Sequence, residues 1–192
     1  MTKDELIEEH RDWNVEHIDW WDSTYDMFKE DMQAKGIEVD RMYFSGFWSQ
    51  GDGACFEGRI EFPQLFIDSH FRPDQYPMVR KLLACGGGVK LSVQHSGHYY
   101  HENCTTFDSD YDLLAYVMDR PSELHEQVVE AWQALLDAEM EDFRKDAIEI
   151  FKDHMRQLYK NLEAEYDYLT SDEAVWESLE ANDMTAEVEE ST

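Results

Sequence analysis

The stretch Phe44–Arg59, FSGFWSQGDGACFEGR, decides how the middle of the chain is read. It sets four glycines, four aromatic rings and one cysteine around Gly51-Asp52-Gly53. Such a run either turns the chain between two strands or grips a ligand. An anion nest would use the amides that glycines leave open, but neither a lysine nor a helix start accompanies them. A calcium loop needs oxygen ligands at regular spacing, and Asp52 stands alone. A φ-permissive hairpin tip accounts for all three residues. After the tip, Phe56, Ile60 and Phe62 alternate with Glu57, Arg59 and Glu61, the period of a half-buried strand with a charged outer face. Before it, Met42–Ser49 is read as the partner strand, with Phe44 and Trp48 on one face and Tyr43 and Phe47 on the other. Rings on both faces make Tyr43 and Phe47 a candidate docking surface unless a helix of the same chain covers them. Gly46 and Gly58 mark places where a strand bulges or a neighbouring ring packs close.

Outward from this hairpin, turn residues mark the boundaries. All nine glycines lie between Gly36 and Gly97 and all four prolines between Pro63 and Pro121, so the two ends of the chain are read as helical. Thr2 and Glu5 have the spacing of a capping box that opens a first helix with Leu6 and Ile7. Ile18, Trp21, Tyr25, Phe28 and Met32 then recur at helical steps, predicting an amphipathic helix over Asp12–Lys35 closed by Gly36. Its rings are expected to pack on Phe56, Ile60 and Phe62. Between Pro63 and Gly88 one or two short helices are expected, with Met78, Leu82 and Leu83 inward. Ser96-Gly97 reads as a two-residue turn between strands Val89–His95 and His98–Phe107.

From Pro121-Ser122 onward an apolar stripe of Leu124, Val128, Trp132, Leu136, Met140, Phe143, Ala147, Ile150, Leu158, Leu162, Tyr166 and Leu169 predicts one helix. Over Ser122–Leu169 it would be about 72 Å long, so it either breaks near the acidic run Ala138–Asp146 or projects. Thr170 and Glu173 repeat the capping-box spacing before Val175, Trp176 and Leu179. The fold class is therefore α+β: a small antiparallel sheet of two β-hairpins packed against an N-terminal helix and a long acidic C-terminal helix. Residues 1–118 are read as the α+β core, 119–181 as an acidic helical extension and 182–192 as a frayed tail.

Charge narrows the partners. The 192 residues hold 44 acids against 16 bases, a formal charge of -28. Nucleic acid and an anionic membrane would repel such a chain over the whole approach, which leaves a basic protein as the natural partner. The surplus lies at the two ends. Along the polar side of the long helix run Glu123, Glu126, Glu130, Asp137, Glu141, Asp142, Asp146, Glu149 and Asp153, and carboxylates so spaced can imitate the phosphates of a duplex. A solvated long helix has a similar composition. Cys55, Cys85 and Cys104 are unpaired by spacing and suit a reducing cytoplasm. The segment MTKDELIEEH lacks the apolar run of a signal peptide, and no stretch has the apolar length of a membrane helix.

Local sequence offers little catalytic chemistry. There is no HExxH, no GxxxxGK[ST] and no GxSxG, and no cofactor is implied. His95, His98, His101 and Cys104 recur every third position and are zinc-ligand types. With Ser96-Gly97 as the turn, however, His95 would oppose His98, His101 would oppose Ser92, and Cys104 would sit roughly 20 Å from the tip opposite Val89. His95 and His98 are then the weak metal candidate, and no metal is the reading taken. A hydrolase built from Cys55 or Cys104 with His95 or His98 lacks local support, so an enzyme is the lesser expectation.

The run YFSGFWSQGDGACFEGRI over Tyr43–Ile60, followed by HSGHYYHENC over His95–Cys104, resembles a group of phage and prophage proteins labelled as antitoxins of toxin–antitoxin systems. The resemblance covers about Tyr43–Cys104, carries no catalytic residues, and implies a phage setting and binding to another protein. Charge and resemblance converge on a first expectation. It is a phage-encoded protein of the host cytoplasm that inhibits a basic host protein, a nucleic-acid-binding defence factor, by charge mimicry. The alternatives are neutralisation of a toxin, an enzyme with its site on the glycine-rich sheet, and an assembly protein that forms a homodimer through its long helix.

Overall fold

The computed structural model describes residues 1–16, 19–112 and 123–186, with side chains from residue 130 onward in the last segment. Ile18, Leu124, Val128, Pro121-Ser122 and residues 187–192 of the tail lie outside the described residues or side chains. The fold is α+β, with one sheet of four antiparallel strands in the order β1-β2-β3-β4: β1 Ile37–Phe44, β2 Ala54–Ile60, β3 Gly88–His95 and β4 Thr105–Asp112. The helices are α1 Lys3–Glu9, α2 Trp13–Glu16, α3 Asp22–Ala34, α4 Pro63–His70, α5 Pro77–Ala84, α6 Glu123–Leu169 and α7 Asp172–Ala181. They group into two compact units, Phe28–Tyr159 and Met1–Met27 with Lys160–Thr192.

In the Phe28–Tyr159 unit the two hairpins join through Gly58 opposite Val93 and Arg59 opposite Ser92. The sheet has one apolar and one polar face, as an antiparallel sheet covered on one side should. Phe56, Ile60, Val89, Leu91 and Val93 are buried on the apolar face. Against it come Phe28 of α3, 5.6 Å from the Phe56 ring, and Phe151 of α6, 5.7 Å from Phe56 and 6.1 Å from Phe107. Phe66 of α4 extends the ring cluster to Phe151 and Phe143. Each such ring, fully removed from water, contributes on the order of 2–3 kcal/mol. On the polar face Arg59 pairs with Glu38, with Asp40 at 3.1 Å and with Glu61 at 3.1 Å.

The expected contact of Phe28 with Phe56 is present, whereas Phe62 is 53 % exposed and caps α4 instead of extending β2. The partner strand is Ile37–Phe44 rather than Met42–Ser49. The doubled aromatics arise because β1 ends at Phe44, which leaves Phe47 and Trp48 in the following loop; a bulge lies further back, between Val39 and Arg41. Ile37 and Val39 share a face with Met42 and Phe44 because the extra residue Asp40 shifts the alternation by one. Gly58 lies opposite this bulge, where a Cβ would come within 2.3 Å of the Glu38 carbonyl oxygen.

The second hairpin also differs. β3 pairs Val89 with Tyr111 and His95 with Thr105, so residues 96–104 form a nine-residue loop and the two-residue turn at Ser96-Gly97 does not occur. The bond that closes the loop, Ser96 N–H to the Cys104 carbonyl at 2.8 Å, takes the place of a tight-turn bond.

Helix α6 runs from Glu123 to Leu169 without a break at Ala138–Asp146. Part of that acidic run is structural. Glu139 Oε1 accepts from the backbone N–H groups of Met78 and Val79 at 2.7 and 2.9 Å, which caps α5 where Pro77 opens it. Of the three α5 residues expected inward, Leu82 is buried with Val79, while Met78 and Leu83 are half-buried.

In the other unit, Leu6 and Ile7 of α1 bury against Val175 and Leu179 of α7, with Trp176 and Met184 packed beside them. The Thr2–Glu5 capping box forms in both directions. The second predicted capping box does not form: Ser171, one residue on, makes a one-sided cap by accepting from Ala174 N–H, while Thr170 Oγ1 donates to the Tyr166 carbonyl. No base lies in the last turn of α6. Its end is satisfied from α2 and the preceding turn, with Asn14 Nδ2 donating to Leu169 O and Arg11 to Thr170 O, each at 2.9 Å. The helix predicted over Asp12–Lys35 is described as α2 and α3, with residues 17–18 outside the description. Its buried residues are Trp20, Thr24, Phe28 and Met32, a stripe one position away from Trp21 and Tyr25.

Candidate functional site

Two nine-residue loops, 45–53 and 96–104, close the same end of the sheet. The first is tied by Ser45 N–H to the Gly53 carbonyl at 3.2 Å and by Ser49 N–H to Asp52 Oδ2 at 2.6 Å. Gly51, at φ 94°, is packed so closely that a Cβ would meet the Tyr99 ring at 2.2 Å, and a Cβ on Gly53 would meet the Tyr100 carbonyl oxygen at 2.7 Å. The stretches Tyr43–Ile60 and His95–Cys104 therefore meet in space. Tyr43 stacks on Tyr100 at 5.2 Å and lies 4.9 Å from His95, and Phe47 packs 5.6 Å from Tyr159 of α6, whose hydroxyl donates to the Phe47 carbonyl at 3.2 Å.

Tyr43 and Phe47 are thus half-buried by their own chain. The rings turned to solvent at this end are Trp48, 76 % exposed, and Tyr99, 47 % exposed. Trp48, expected on a strand face, lies in the loop because β1 ends at Phe44, five residues before Ser49.

The acidic row of α6 is exposed at Glu130, Asp137, Glu141, Asp142, Asp146, Glu149 and Asp153, while the side chains of Glu123 and Glu126 lie outside the description. At about 100° per residue it divides into two ridges, Glu130, Asp137 and Glu141 on one flank and Asp142, Asp146, Glu149 and Asp153 on the other. Several members have partners in the chain. Tyr111 donates to Asp137, which pushes the phenol up to about 12, and Tyr76 donates to Asp146 at 2.5 Å. Lys145 pairs with Glu141 and Asp142 at 3.6 Å, Lys152 with Glu149 at 3.4 Å, and Arg156 with Asp153, Glu149 and Glu102. These exposed pairs are each worth well under about 1 kcal/mol and leave the helix strongly negative.

The thiols and imidazoles sit differently from the expectation. Cys55 is fully buried in β2, and burial pushes its thiol up to about 12, which denies it the thiolate a nucleophile needs. Cys104 Sγ lies 3.7 Å from His101 Nε2. His101 Nδ1 accepts the Asn103 N–H at 3.1 Å, so in the neutral ring the hydrogen sits on Nε2 and faces the sulfur, the wrong tautomer for a base that would activate that thiol. His95 Nε2 lies 3.2 Å from the Tyr99 carbonyl, and His98 packs beside Tyr99 rather than opposite His95. The register argument against a shared metal site is overturned, since the long loop gathers residues that a tight hairpin would separate. Even so, among the described residues no three His, Cys, Asp or Glu side chains group as metal ligands.

Sequence reading missed a second imidazole pair. His70 at the end of α4 and His154 in α6 face each other with Nε2 atoms 3.0 Å apart. Burial lowers both, and the neighbouring His70 adds to the effect on His154, which falls to about 4. The pair is 84 positions apart in sequence. The only trace it leaves is that His154 stands four residues from both Ile150 and Leu158 on the apolar stripe.

These features define an α+β protein with an acidic helix and an aromatic loop cluster beside it, and none of the described helices is long and apolar enough to cross a membrane. Residues 20–172 match the family described as Domain of unknown function (DUF8835), and the chain belongs to that family. Neither the curated proteins nor the solved structures contain a match.

Proposed function

We propose that this is a phage-encoded acidic binding protein that engages a basic, nucleic-acid-binding host protein and blocks it by offering carboxylates where that partner holds phosphates. The observation that carries the reading is the charge of -28 combined with seven described acidic residues of α6 exposed along two ridges. A field of that size steers a basic groove toward the helix and falls off with salt. Trp48 and Tyr99, on loops packed against α6 through Phe47, supply aromatic anchors of the kind that dominate protein interfaces. The resemblance of Tyr43–Cys104 to phage proteins supports the setting. The buried thiol of Cys55 and the tautomer of His101 weigh against the enzyme alternative.

The test is a pull-down from host lysate followed by competition between the captured protein's duplex DNA and the purified chain. A basic nucleic-acid-binding protein is expected to be retained at low salt and released at high salt. Replacing Glu130, Glu141, Asp142, Glu149 and Asp153 by their amides should weaken it at least about tenfold, because each lost charge removes attraction at short range. Retention that ignores both salt and these substitutions sinks the mimicry reading. Asp137 and Asp146 are left intact because Tyr111 and Tyr76 use them.

A further inference from the structure

The facing histidines of α4 and α6 meet Nε2 to Nε2 at hydrogen-bond distance, and the argument for them is independent of the partner reading. Their rings stand 75° apart, with centroids 5.2 Å apart and Nε2 atoms facing at 3.0 Å. His70 Nδ1 lies 2.8 Å from the Phe66 carbonyl oxygen. A carbonyl can only accept, so Nδ1 carries the hydrogen and the neutral His70 ring turns its Nε2 lone pair toward His154. An Nδ1–H donated to a backbone carbonyl is how proteins fix the tautomer and orientation of a metal-bound imidazole. The Phe66 ring, 4.6 Å away, further restricts the His70 plane.

We propose that His70 and His154 bind a late first-row divalent metal ion, zinc foremost, between their Nε2 atoms. Zinc–nitrogen bonds of about 2.0–2.1 Å at a tetrahedral angle hold two nitrogens roughly 3.4 Å apart, so the pair opens by about 0.4 Å to admit the ion. Without metal, the hydrogen between the rings sits on His154 Nε2. On binding, His154 becomes the Nδ1–H tautomer, and both rings remain neutral. Both rings are half-buried, and an ion held by two imidazoles needs water to complete its coordination. Lys35 of α3 and its ion-pair partner Asp31, 2.6 Å apart, both act on the two rings, the ammonium opposing a cation there slightly more than the carboxylate favours it, while Asp153 adds a second carboxylate beside His154. Imidazole ligands favour zinc, nickel and copper over magnesium and calcium. The ion would fasten the end of α4 to α6.

The full chain is dialysed near neutral pH against zinc chloride and, separately, magnesium chloride. Long-range nitrogen-15 spectra of the imidazoles are recorded in parallel. The expected result is a zinc-dependent shift of the His70 and His154 Nε2 resonances in the unaltered chain, with no response to magnesium. H70Q and H154Q should each weaken zinc binding at least about tenfold, the scale on which even supporting residues act. The proposal is overturned if the two Nε2 resonances do not move with zinc. It is equally overturned if zinc binds the double variant H70Q/H154Q as tightly as the unaltered chain, which would place the ion on the loop histidines. The spectra of the unaltered chain decide the matter even if a variant fails to fold.

Discussion

The two hairpin loops are equal in length and closed by the same kind of bond, from the first N–H to the last carbonyl, yet they hold their shapes differently. Loop 45–53 is fixed by backbone: Gly51 at positive φ, Asp52 accepting an amide, and a glycine surface onto which a ring can settle. Loop 96–104 is fixed by side chains, with Tyr99 and Tyr100 laid on the first loop and His101 turned to Cys104. The first loop is a mould and the second a cast taken from it. Glycine and aspartate signal a local conformation and are readable from sequence. Rings that pack on a distant loop are not.

The largest effect that tests this contrast is on the thiols at the two loops. Cys55 leads out of the first and Cys104 ends the second. Burial raises the Cys55 thiol from an ordinary 9.0 to about 12, so at neutral pH its thiolate fraction falls by roughly a thousandfold. Iodoacetamide followed by peptide mass spectrometry should label the half-exposed Cys104 in the folded chain and Cys55 only on unfolding. Since the folded-state value is the raised one, this thiol contributes stability below about pH 9 and loses it as pH climbs from there toward 12. Equal labelling rates would mean that the first loop does not seal β2.

Next in size is the contact between mould and cast. Gly51→Ala places a methyl group at a positive φ and into the Tyr99 ring, and should cost about 1–3 kcal/mol in denaturant unfolding. Combining it with Tyr99→Ala should cost less than the sum of the two, by about 0.5–2 kcal/mol. Strict additivity would show that the loops are independent. The smallest effect is that of Asp52→Ala, which removes the acceptor of Ser49 N–H at an exposed site and should cost about 1 kcal/mol, with Asp52→Asn restoring part of it. A full-sized loss in Asp52→Asn would point to the charge rather than the hydrogen bond.

The same contrast separates what was legible in the sequence from what was not. Alternation at Phe56 and Ile60, the capping box at Thr2 and the long stripe of α6 are local periodicities, and each appears as an element of the fold. Ser96-Gly97 misled because Gly97 does adopt a positive φ, 112°, but at the start of a long loop rather than in a two-residue turn. Nothing in four consecutive residues distinguishes those cases. The strand misplaced onto Met42–Ser49 failed for a different reason: the bulge at Asp40 hides the alternation of its true first half, Ile37–Val39, and the rings Phe47 and Trp48 of the following loop continue the alternation past its true end at Phe44. The acidic row was readable as a row. Its internal partners Tyr76, Tyr111 and Arg156 were not, since they depend on tertiary placement.

That bulge also bears on how copies of the chain can meet. β1 and β4 are the outer strands of the sheet, and an outer strand exposes unpaired backbone groups to which another chain's strand could add. Asp40 interrupts the regular spacing of β1 and, with Glu38 and Arg41, crowds it with charge, while β4 carries Asp108, Asp110 and Asp112. Both margins are therefore hostile to strand addition. A one-residue irregularity on one side and a row of aspartates on the other thus work against ribbon-like aggregation in a chain this rich in aromatic residues.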